Sequence, residues 1–119
     1  MPAFAQARVM VATAVSGTTT YYSFATSLKN MSSASYQLVW TGTPTGTFTV
    51  WASNALKPLE TDDTDWVQLT LAVAITQPAG SASKDIVDMT DLPFGWVRVK
   101  YVNASSSGVV DAYVVCKGL

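Results

Sequence analysis

Apolar and polar residues alternate with a period of two in several short runs of the chain. Phe48, Val50 and Ala52 alternate with Thr47, Thr49, Trp51 and Ser53, and Val97, Val99 and Tyr101 alternate with Trp96, Arg98 and Lys100. Val110, Ala112, Val114 and Cys116 are interleaved with Asp111, Tyr113 and Val115, and Val67, Leu69 and Leu71 with Trp66, Gln68 and Thr70. Successive side chains of a strand point to opposite faces, so this period predicts strands with one face in a core and the other in water. Fainter patterns over 8–15, 19–24, 34–40 and 84–89 predict four more. Val and Thr dominate, with Trp, Tyr and Phe spread among them, and these types suit a pleated, half-buried surface.

Between the runs lie clusters that reverse a chain: Ser16-Gly17, Thr41 to Gly46, Gln77 to Ser81, Leu92 to Gly95 and Ser105 to Gly108. Glycine there supplies positive φ, and proline presets φ near −65°. About eight strands at intervals near a dozen residues predict an all-β fold. The expected architecture is a single antiparallel β-sandwich, jelly-roll or Ig-like, over residues 1–119. The longest connection, Asn54 to Asp65, is expected as a surface loop. Residues 1–7 carry no pattern and are expected as an N-terminal arm, with Phe4 as its apolar contact on a neighbour.

Composition narrows the chemistry. Apolar types make up 49% and charged residues only 13% of the 119 residues, and the net charge is -1. With no basic excess, neither nucleic acid nor an anionic membrane is expected as a partner. No apolar run approaches the roughly 18 residues of a membrane helix. No basic region precedes a long apolar one, so no signal peptide is expected and synthesis is placed in a reducing cytoplasm. The sequons at Asn30 and Asn103 therefore carry little weight. The chain has no His and one Cys, which removes the commonest general base, any intrachain disulfide and every multi-cysteine metal site.

Two constellations merit a chemical reading. Glu60-Thr61-Asp62-Asp63-Thr64-Asp65 clusters carboxylates as a Ca²⁺ loop would, making Asp62, Asp63 and Asp65 weak candidate metal ligands. The run lacks the glycine and distal glutamate of an EF-hand, so a solvated loop capping the next strand is expected, with no metal and no cofactor. No G-x-S-x-G elbow is present and no imidazole could activate a serine, so no enzyme is expected. The second constellation is aromatic. Trp51, Trp66 and Trp96 each alternate with the polar set, opposite the aliphatic residues of their own strands. Large rings on an outer face are typical of protein contacts, so all three are candidate interface residues with Phe4. For Trp66 and Trp96, which open their strands, cover by a loop is the stronger alternative.

Gly46-Thr47-Phe48-Thr49-Val50-Trp51-Ala52-Ser53-Asn54, then Asp65-Trp66-Val67-Gln68-Leu69, then Asp91 to Tyr101, a Ser/Gly turn and a closing Val/Ala strand form one ordered pattern. It resembles small β-sandwich virion proteins of tailed bacteriophages. The resemblance covers residues 46–119 and implies a structural role, with no catalytic residue carried over. It implies a head decoration or cement protein that binds the major capsid protein and its own copies non-covalently, made in the host bacterial cytoplasm and ending in the virion. Sparse charge adds an expectation of self-association, a trimer being favoured at three-fold junctions. A strand ending in Ser-Asn, a long loop and then Asp-Trp also resembles carbohydrate-binding sandwiches of the discoidin type. That implies, as the alternative, a tail- or fibre-associated glycan-binding module.

Overall fold

The clearest alternations form the strands at the centre of the fold. The structure, a computed structural model, describes residues 4–118. In chain order the strands are β1 (Phe4–Val15), β2 (Thr19–Tyr22), β3 (Thr26–Ser27), β4 (Ser33–Gly42), β5 (Thr45–Ser53), β6 (Val67–Gln68), β7 (Ser83–Met89), β8 (Trp96–Ser105) and β9 (Gly108–Lys117). One sheet has the order β1-β9-β4-β7, and the other β2-β8-β5-β6 with β3 also pairing β8. Every pairing is antiparallel. With β2 and β3 taken as one interrupted strand, the chain passes between the sheets at every connection except β5 to β6. Eight strand positions in two four-stranded sheets with this crossover pattern make a jelly roll.

The inner faces build the core as the alternation predicts. Tyr36, Leu38, Trp40, Val110 and Ala112 come from the first sheet, and Phe48, Val50, Val97, Val99 and Tyr101 from the second. Phe48 is the aromatic centre, its ring 4.6 Å from Tyr101 and 5.7 Å from Trp40. Cys116 is buried in the same core.

Two long hairpins, β4–β5 and β8–β9, cross from sheet to sheet at one corner, where Gly42 lies opposite Gly108. A Cβ on Gly42 would come within 2.8 Å of the Gly108 Cα, and one on Gly108 would overlap the Thr41 carbonyl, so only glycines let the hairpins bend together. Asn103 locks this corner. Its side-chain amide donates to the Gly17 carbonyl at 2.7 Å and to the Ser106 carbonyl at 3.1 Å, while its oxygen accepts the Tyr101 hydroxyl at 2.8 Å. The sequon asparagine is thus wholly buried, and its amide nitrogen is committed to the fold.

Two local expectations change. Only Val67–Gln68 of the 67–71 run is strand, and Val67 is 71% exposed while Trp66, on the polar set, is 5% exposed. The run lies at the sheet's edge, where a loop folded over the outer face decides burial; Leu69 and Leu71 are half-buried against the core. At the other end, residues 4–7, expected in an arm, extend β1 and pair with Val114 to Lys117. Residues 1–3 of that arm and the side chain of Phe4 lie outside the described residues.

Candidate interaction surfaces

The outer face of the second sheet carries a cation–aromatic cluster. Register sets Trp51 beside Arg98 and Thr49 beside Lys100, while Lys100 also pairs across to Tyr22. The Arg98 guanidinium carbon lies 4.4 Å from the Trp66 ring centre and 4.5 Å from that of Tyr22. Its terminal nitrogens donate to an Asp63 carboxylate oxygen at 2.6 Å and to the Glu60 carbonyl at 2.9 Å. Lys100 takes the other Asp63 oxygen at 2.6 Å and sits 5.0 Å over Trp51. Arg98 is fully buried although it belongs to the outward row, because the 54–66 loop closes over it. Burial pulls its pKa down and the charge of Asp63 opposes that, so the guanidinium stays charged.

Each acidic residue of the loop holds part of the fold together. Asp63 bridges the two cations, Asp62 accepts the Thr64 amide, Asp65 accepts the Leu59 amide, and Glu60 accepts the Ala25 amide. Among the described residues, no group of three or more His, Cys, Asp or Glu is placed to share a metal ion. Leu59 is held through both its backbone N–H and its carbonyl, which accepts the Trp66 indole N–H at 2.6 Å. The cluster works as a clamp on the loop, with its carboxylate engaged by two cations.

The three candidate tryptophans therefore differ. Trp66 is covered by its own loop, leaving little of the ring for a partner. Trp51 is half-buried, its indole N–H donating to Thr49 Oγ1 at 2.7 Å and its ring lying beside Lys100. Trp96, also half-buried, opens β8 between Ser27 and Ser53. Arg98, Lys100 and Tyr22 do not stand out in the sequence. The available signal is two cations spaced two apart on a strand, beside a tryptophan strand and an acidic loop.

Among the described residues, no such strap crosses the outer face of the first sheet. Register arranges it in rows: Gln6, Val115, Ser35, Asp88; then Arg8, Tyr113, Gln37, Ile86; then Val11, Asp111, Val39, Lys84. Ile86 is 62% and Val11 51% exposed. A shallow depression of about 430 Å³ runs across the face, lined by Gln37, Val39, Ile86, Tyr113 and Val115 among others. Arg8 pairs with Asp111 at 2.7 Å and lies 5.6 Å over Tyr113, and the hydrogen bond to Asp111 raises its pKa. The face thus mixes exposed aliphatic and aromatic side chains with a paired charge.

The fold is a jelly-roll sandwich with one outer face strapped by a loop and the other open. No protein-family model and no curated protein matches the chain. Among solved structures, it is similar in fold to chains in the structures of infectious bursal disease virus. For the Gx strain the TM-score is 0.61 at 13% identity, covering 98% of this chain and 32% of that one. For the Gt strain the TM-score is 0.54, again at 13% identity with 98% and 32% covered. The chain thus spans about a third of the length of each, and the likeness is one of fold. These folds belong to an animal virus, not to the tailed phages that the sequence pattern suggests.

Proposed function

We propose that the chain is a structural subunit of a virus particle, acting without catalysis through non-covalent contacts with its own copies and with a shell protein. The observation that carries this is the likeness of 98% of the chain to parts of chains in virus structures. The uncovered face of the first sheet supports it, because a subunit needs surface that is already ordered before its neighbour arrives. The pattern over 46–119 supports the finer reading: a head decoration or cement protein of a tailed phage, made in the bacterial cytoplasm and bound to the major capsid protein. In that reading Trp51, Trp96 and Phe4 are the aromatic contacts, and Trp66 acts from beneath by holding the loop in place. A three-fold junction would bring copies together as trimers.

Cryo-electron microscopy of purified particles tests the role. Density for the sandwich at symmetric positions of the shell is expected, and a chain found only outside the particles overturns it. Trp51→Ala sharpens the test: retention on the particle should fall about thirtyfold, as for a hot-spot loss of about 2 kcal/mol. Unchanged retention removes Trp51 from the contact.

A further inference from the structure

From the charge pattern on the first sheet's outer face we infer that this face pairs with the same face of a second copy about a two-fold axis. The axis runs across the strands, along the row Arg8, Tyr113, Gln37, Ile86. Lys84 and Asp88 lie on β7 two residues to either side of Ile86, both outward and exposed. Neither forms an ion pair within its own chain among the described residues. Turning a second face over about that axis places Lys84 of each copy opposite Asp88 of the other, twice, by symmetry alone. The same operation sets Ile86 on Ile86 and Tyr113 on Tyr113, closing the depression from both sides. Arg8 meets its own equivalent at the rim, where each is already neutralised by Asp111 at 2.7 Å. An isologous contact requires a self-complementary patch of this kind.

The area sets the strength. Four strands about 4.8 Å apart, each presenting about seven residues at roughly 3.3 Å, give a footprint of about 450 Å² per copy. A standard interface buries about 800 Å² per partner, so the pairing belongs to the weak, reversible class, with association in the micromolar range or above. Such a contact is dilute-state monomeric and becomes occupied when many copies are held close together. The inference rests on the proposed function only in treating this face as a contact.

Sedimentation equilibrium of the isolated chain up to about millimolar concentration tests it. A monomer–dimer equilibrium is expected. Lys84→Asp should weaken it by about tenfold or more, since two attractions become two repulsions. Adding Asp88→Lys to that variant reverses both charges and should restore the wild-type constant to within about threefold. Ile86→Glu should abolish the dimer. All three positions are exposed, and a thermal melt of each variant confirms that it is folded. A strict monomer, a trimer, or a double variant as weak as the single one overturns the two-fold pairing. Incorporation into particles is measured separately, so failure here leaves that reading to its own test.

Discussion

At the scale of single residues, Gln77 closes an edge that no strand covers. Its side-chain oxygen accepts the Phe48 amide at 2.6 Å and its nitrogen donates to the Phe48 carbonyl at 3.1 Å, copying the paired hydrogen bonds of a neighbouring strand. Phe48 is the aromatic centre of the core, so this amide fixes the backbone that carries it. Gln77→Ala should cost about 1–3 kcal/mol, because both backbone groups are left part-buried without a partner. Chemical denaturation would show it as a lower midpoint at unchanged slope. Gln77→Glu, which keeps the acceptor and loses the donor, should fall between. No sequence pattern marks Gln77 for this role, because it lies in a turn cluster and its partner is 29 residues away. Alternation reports which face a residue shares, and it is silent about a side chain that reaches sideways along a sheet.

Among the elements, the 54–66 loop depends on one carboxylate. Asp63→Asn leaves Arg98 buried and Lys100 half-buried without their counter-charge. Breaking a fully buried pair costs about 3–5 kcal/mol, but the Asp63 side chain is 38% exposed, so solvent reduces this to about 1–2 kcal/mol. Hydrogen exchange should show the loop amides losing protection while β4 and β9 keep theirs, and a uniform loss would refute the clamp. The loop is legible in outline, since its bounds follow from where alternation stops at Ser53 and resumes at Trp66. The clamp is not. Arg98 alternates with the polar set, which correctly gives its face, and only the folded loop makes that face an interior. The strands β5, β8 and β9 are plain because both sheets bury them on one side along their length. At the rim, β6 has no such constraint, so Val67 faces water where the pattern puts it inside. The two-residue β3 leaves no trace in the pattern, being too short to show any period.

For the whole molecule, three buried acids set an alkaline limit. Burial raises the pKa of Tyr36, Tyr101 and Cys116 above their ordinary values. Each is charged only when deprotonated, so the folded state keeps protons that the unfolded chain gives up near pH ~8.5 for a thiol and ~10 for a phenol. The unfolded state then binds fewer protons, and stability falls as pH rises through that window, being complete below it. The melting temperature should hold level from about pH 7 to 8 and decline above about 9, and the phenolates of the buried Tyr36 and Tyr101 should appear with unfolding rather than before it. A flat profile to pH ~11 would contradict the sealed core. The pairing of β1 with β9 has a consequence of another kind. Phe4 lies opposite Lys117, so the start of the first strand and the end of the last sit side by side at one end of the sandwich. A short linker could join them and the chain be reopened within 54–66, leaving every strand pairing intact. By the same geometry the whole sandwich can be spliced into a surface turn of an unrelated host, which would need to part its own backbone by little more than one interstrand spacing.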